Sequence, residues 1–128
     1  MEVKAQAKNL RISPRKARLV IDQVRGLSVL SAETVLEFLP KKSAKFVSDL
    51  IQSATANASN NHKMAKEDLI IAKIFVDEGY TMKRARARAF GRSAPIRKRT
   101  SHITVVLKEL KKSVKKTLKK TSSNKKEK

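Results

Sequence analysis

The chain has 128 residues, enough for one domain with a buried core and too few for two domains with an active site between them. Lys and Arg number 31 against 11 Asp and Glu, a net charge of +20 that compact folding gains nothing from and that a polyanion, nucleic acid first among them, would solvate. The absence of cysteine excludes disulfides and thiolate metal sites, and no apolar run approaches the roughly 20 residues needed to span a bilayer.

The expected setting is therefore a soluble protein of a reducing compartment, with no membrane partner; the start, MEVKAQAKN, carries no apolar signal core. The charge is unevenly placed. Residues 80–100 hold eight basic and no acidic residues, and residues 111–128 hold nine lysines and one Glu. The remainder carries 14 basic against 10 acidic residues, an ordinary balance for a folded body with two basic appendages.

In chain order, VKAQAKNLRI alternates Val3, Ala5 and Ala7 with Lys4, Gln6 and Lys8, the period of a half-buried strand. Ser13 before Pro14 predicts a helix start, with the Ser oxygen as cap and Pro at a position whose N–H has no partner to lose. Ala17, Val20, Ile21 and Val24 recur at helical spacing as far as Gly26, with Arg15, Arg18, Asp22 and Arg25 on the opposite side. Ser31 is the expected cap of a short second helix that turns Ala32, Val35, Leu36 and Leu39 inward before Pro40. A third helix is expected from about residue 42 to 60, with Ala44, Val47, Ile51, Ala54 and Ala58 as its inner stripe, widened by Leu50.

From Leu69 the chain turns β-branched and aromatic. LIIAKIFVDEG predicts a strand with Ile70, Ile74 and Val76 on one face, and HITVVLKEL predicts its partner, with Ile103, Val105 and Leu107 on one face. The expected fold is α+β: three helices packed on a small antiparallel three-stranded sheet with a long protruding β-hairpin. Residues 1–110 form the domain, the arm occupies about 80–100, and 111–128 is a lysine-rich tail.

Between those strands, RARARA alternates strictly, which in an extended chain puts Arg84, Arg86 and Arg88 on one face roughly 6.6–6.8 Å apart and Ala85, Ala87 and Ala89 on the other. In a helix Arg86 would fall on the far side from its two neighbours. Gly91, after Phe90, is the expected turn residue because it accepts positive φ. About ten residues per side at ~3.3 Å each carry such a tip on the order of 30 Å from the body. A two-stranded ribbon is marginal in water even without like charges, whereas arginine forks suit phosphate, so the arm reads as one solvated by nucleic acid. The plainer alternative is a basic loop with no specific target.

SPRKARLV (13–20), SATANASNN (53–61), KIFVDEG (73–79), MKR (82–84), GR (91–92) and KRTSHITVV (98–106), in this order and spacing, resemble bacterial large-subunit ribosomal protein twenty-two over residues 1 to about 110. The resemblance implies a structural, non-enzymatic constituent of the large ribosomal subunit in the cytoplasm. It implies binding to several domains of large-subunit rRNA, help in subunit assembly, and neighbouring ribosomal proteins as partners. The hairpin would line the nascent-peptide exit tunnel near the macrolide site, with the nascent peptide passing the tip at Ala89, Phe90 and Gly91. The implied rRNA contacts are Arg11, Arg15, Lys16 and Arg18 on the body and Lys83, Arg84, Arg88, Arg92, Lys98 and Arg99 on the arm, with Arg86 and Arg97 of the same arm included. The chain departs from the family pattern at Ala87, Phe90 and Pro95. Phe90 has two uses open to it, stacking on a base or packing on its own arm, and the second is expected.

The tail reads KKSV, KKTL, KKTS, a repeat outside the family pattern that suits RNA or any polyanion. No catalytic, cofactor or metal constellation is visible: His62 and His102 lie in different segments without ligand spacing, and the acidic pairs at 67–68 and 77–78 suit turns or charge neutralisation. Nor is there a glycine-rich phosphate loop, so no small-molecule substrate is expected. Two rivals remain, a DNA-bending protein whose arm carries Phe90 or Pro95 as a wedge, and a docking protein built on its helices. RNA against DNA preference separates the first from the ribosomal reading; exposed apolar residues outside the helical stripes would favour the second.

Overall fold

The computed structural model describes residues 2–110; the expectations for the tail lie outside the described residues. Its elements are β1 (Glu2–Leu10), α1 (Pro14–Val24), α2 (Val29–Phe38), α3 (Lys42–His62), β2 (Leu69–Ala87) and β3 (Ser93–Glu109), with single 3-10 turns at Lys66–Asp68 and Ala89–Gly91. The three strands form one antiparallel sheet in the order β1-β3-β2, so the last strand is central. The helices pack on the sheet, α3 against β1 and β3 and α1 against β2. This is the expected α+β architecture.

The core follows from the patterning. Ala17, Val20, Ile21 and Val24 of α1 are buried, as are Ala44, Val47, Ile51, Ala54 and Ala58 of α3, where small side chains let the helix lie close to the sheet. From β3, Ile103, Val105 and Leu107 are fully buried, the face expected from their alternation. Each such large aliphatic side chain contributes about 1.5–3 kcal/mol by leaving water.

Three local expectations are corrected. Ser13 is the N-cap residue of α1 but makes no side-chain capping bond; the Lys16 N–H, one of the donors such a cap would take, donates instead to Ser13 O at 3.0 Å. The cap of α2 is Ser28, not Ser31: its hydroxyl accepts the Ser31 N–H at 3.3 Å, and the helix begins one turn earlier because Val29 is itself a core residue. In β2 the inward residues are Leu69, Ile71, Ile74 and Val76, while Ile70 is only half-buried. The pairing steps from Ile71 opposite Leu107 to Lys73 opposite Val106, so Ala72 is the extra residue of a bulge and the inward phase changes from odd to even positions.

β2 is an edge strand, and its exposed backbone would invite pairing with another chain. The segment after α1 covers its start: the Ile71 N–H donates to Leu27 O at 3.0 Å and the Gly26 N–H to Ile71 O at 3.2 Å. Further along, Arg25 donates to Ile74 O at 3.3 Å and Arg18 to Val76 O at 3.2 Å. Two arginines expected on the outer face of α1 thus reach over the edge and tie the helix to the strand.

Candidate nucleic-acid interface

Beyond the body, β2 and β3 continue together as a two-stranded arm. The point of departure is a second bulge: Glu78 pairs with Ser101 but Thr81 pairs with Arg99, leaving Gly79 and Tyr80 opposite Thr100. Thr100 is buried and donates through Oγ1 to Tyr80 O at 2.7 Å. A Cβ on Gly79 would stand 2.5 Å from Thr100 Oγ1 and 3.1 Å from the His102 ring, so glycine is required here for space. The His102 ring in turn accepts the Asn9 N–H at Nδ1, 2.9 Å, tying the end of β1 to the same place. Gly79, Thr100 and His102 form the arm's root, a role that sequence reading missed. Its only sequence signal was a glycine at the seam between an apolar run and a basic one. Asp77 and Glu78 lie in β2 at this root rather than in a turn, and neither forms an ion pair with the arm's arginines.

In the arm the register sets which side chains share a face. Arg84 is opposite Ile96, Arg86 opposite Ala94 and Met82 opposite Lys98, while Lys83 is opposite Arg97, Ala85 opposite Pro95 and Ala87 opposite Ser93. Directly paired residues project to the same side. One face therefore carries Arg84, Arg86 and Lys98 and continues toward Arg88 and Arg92 at the tip. The other carries Lys83, Arg97 and Arg99 near the root and only Ala85, Ala87, Ser93 and Pro95 farther out. The expected arginine edge and alanine edge are present, except that Ala89 belongs to the tip turn.

The tip closes with the Arg88 N–H donating to Arg92 O at 2.8 Å. Phe90 at φ 58° and Gly91 at φ 67° are both left-handed, the sense of turn that matches the twist of a hairpin. Gly91 adopts it freely, whereas for an L side chain such as Phe90 it costs roughly 1–2 kcal/mol. Phe90 does not pack on its own arm as expected; it is 98 % exposed, because the turn throws its ring off the end of the hairpin. Pro95 sits within the returning strand opposite Ala85, where a missing N–H costs no sheet bond if it faces outward.

Every residue from 83 to 93 is exposed, and the arm has no apolar core of its own. None of its eight cations is in an ion pair among the described residues, where the bridges are Arg25–Asp22, Lys66–Glu33 and Lys108–Glu2. Arg84 donates to Lys83 O at 2.8 Å, a local bond that leaves the guanidinium exposed. At the root, Arg97, Lys98 and Arg99 line one cleft with Arg11 and Lys42, so body and arm present a continuous basic surface. Arg15 and Lys16 are exposed on α1 as expected, while Arg18 has one donor engaged at the sheet edge. Among the described residues no His, Asp and Glu cluster could hold a metal ion, and no helix is long and apolar enough to cross a membrane.

A basic arm rooted on a three-helix, three-stranded body is the architecture implied by the motifs, and family comparison decides the matter: residues 5–108 match the family described as Ribosomal protein L22p/L17e. The chain belongs to that family. It is 54 % identical over 111 residues to the large ribosomal subunit protein uL22 of Halothermothrix orenii, covering 87 % of this chain and 98 % of that one. The protein of the same name from Carboxydothermus hydrogenoformans is 53 % identical over 111 residues, with the same shares covered. That of Pediococcus pentosaceus is 52 % identical over 105 residues, 82 % of this chain and 89 % of the relative. The family is one of ribosomal proteins, structural components rather than enzymes. The matched span contains the whole arm and its root and ends before the lysine repeats.

Proposed function

We propose that the chain is a structural component of the large ribosomal subunit in the cytoplasm. It binds large-subunit rRNA through both the body and the arm, assists subunit assembly, and carries its hairpin along the nascent-peptide exit tunnel near the macrolide site. The observation that carries this reading is the arm itself: eight cations without an acid, none in an ion pair among the described residues, on a ribbon with no core. Such a ribbon is stabilised when phosphates replace the missing counter-charges.

The two arm faces divide the work. Arg84, Arg86, Arg88, Arg92 and Lys98 on one side, and Lys83, Arg97 and Arg99 near the root on the other, meet RNA phosphates together with Arg11, Arg15, Lys16 and Arg18 of the body. The outer part of the second face, with Ala85, Ala87, Ser93 and Pro95, is small and uncharged and suits a wall past which a peptide slides. Phe90, flanked by Ala89 and Gly91, faces that peptide at the tip. Neighbouring ribosomal proteins complete the set of partners.

Sedimentation of a native lysate through a sucrose gradient, with RNase or DNase added, tests this reading. The chain is expected to travel with large subunits and whole ribosomes and to be released by RNase alone. Travel with the nucleoid and release by DNase would instead make the arm a DNA-bending device and overturn the proposal.

A further inference from the structure

Leu19 is 64 % exposed on α1, although the helix buries Ala17, Val20 and Ile21 beside it. It borders a cleft of about 520 Å³ between the start of α1 and the segment at 40–43 that leads into α3, within the roughly 300–1,000 Å³ typical of small-ligand clefts. Ile12, Leu19 and Pro40 supply apolar wall, and Arg11, Lys16, Lys41 and Lys42 surround it. Ser43 donates to Lys16 O at 3.4 Å, holding α1 and α3 together at the cleft. Ser13, which also lines it, makes no capping bond with its hydroxyl.

A second cleft shares Arg11, Ser13 and Lys42 with the first and leads on to Arg97, Lys98 and Arg99 at the arm's root. Seven cations line the two clefts together with no Asp or Glu, and none of the seven is in an ion pair among the described residues. The lining narrows the chemistry of an occupant. A duplex backbone would neutralise the cations but leave Leu19 and Pro40 against water, and an apolar peptide would cover the wall but leave the cations without counter-charge. An unpaired nucleotide offers both parts, a flat base and flanking phosphates.

We propose that this cleft holds one unstacked nucleotide of single-stranded RNA, its base against Ile12, Leu19 and Pro40 and its flanking phosphates on Arg11, Lys41 and Lys42. The strand then continues along the second cleft to Arg97 and Arg99. This deepens the RNA-binding reading and rests on it. Lys41, Lys42 and Leu19 are thereby assigned to the interface.

The test uses the full chain with labelled Ile and Leu methyl groups, titrated with the hexanucleotide rU6 and with a ribose–phosphate hexamer of the same charge that lacks bases. Both oligomers are expected to move signals of the arm, and only rU6 to move the Ile12 and Leu19 methyls. Leu19→Ala should weaken rU6 binding by about fivefold, the lower end of what one base contact contributes, and leave the abasic oligomer unaffected. Still Ile12 and Leu19 methyls at saturating rU6, or equal shifts with both oligomers, would overturn the cleft while leaving RNA binding by the arm intact. Binding of neither oligomer at low salt would remove the RNA reading itself, and the cleft with it.

Discussion

The body and the arm of this chain obey opposite rules although the same two strands run through both. In the body, β2 and β3 carry Ile71, Ile74, Ile103 and Val105 against three helices, and burial of apolar surface holds the register. Farther along, the same ladder carries Arg84 opposite Ile96 and Lys83 opposite Arg97 with nothing packed on either face, and like charge opposes the pairing. The change happens within three residues, at the bulge containing Gly79 and Tyr80. Hydrogen-bonded pairing is thus common to both regions, while stability belongs to the one with a core and function, on the proposed reading, to the one without.

The contrast can be broken first from the body side. Ile103→Ala removes a fully buried side chain from the central strand and should lower stability by about 2–5 kcal/mol, a large share of the roughly 5–15 kcal/mol of a typical domain. Thermal unfolding followed by circular dichroism measures it; a loss below about 1 kcal/mol would mean that the core is not what holds β3 in place. Next is the root. Gly79→Ala drives a methyl against Thr100 Oγ1 and should cost about 1–3 kcal/mol. In a double-mutant cycle with Thr100→Ala the two losses should be less than additive, since the clash disappears with the hydroxyl; strict additivity would show that the close approach is not the cause.

The smallest effect sharpens the contrast within the body. The Thr104 hydroxyl is buried on β3 without a hydrogen-bond partner among the described residues. Thr104→Val keeps the shape and removes that group, so stability should rise by about 1 kcal/mol. A fall in melting temperature would show that the hydroxyl is paired in solution.

The sequence made the helical stripes, the outgoing and returning strands, the arginine alternation and the turn at Gly91 legible, because each depends on a period of two or three to four residues along the chain. What it hid depends on pairing across the chain. The bulge at Ala72, which replaces Ile70 by Ile71 as an inward residue, exists only in relation to Leu107 and Val106. The need for glycine at 79 arises from Thr100 and His102, more than twenty residues away. Ser31 was read as the cap of α2, and Ser28 takes that place because Val29 belongs to the core. Among the candidate contacts, exposure of the arm cations was legible from charge alone, whereas the engagement of Arg18 and Arg25 at the β2 edge was not, since their period put them simply on the outer face of α1. Phe90 was misjudged because its exposure follows from a left-handed turn that an aromatic residue rarely adopts.

The most direct test of the division between body and arm replaces Arg84, Arg86 and Arg88 together by Ala and compares the variant with the wild-type chain for salt-dependent binding to large-subunit rRNA, with thermal unfolding in parallel. If the arginine face holds phosphates, the slope of log affinity against log salt falls by about two to three, the variant loses to wild type in competition for incorporation into large subunits, and the melting temperature of the body does not change. An unchanged slope with equal incorporation would contradict the role assigned to that face.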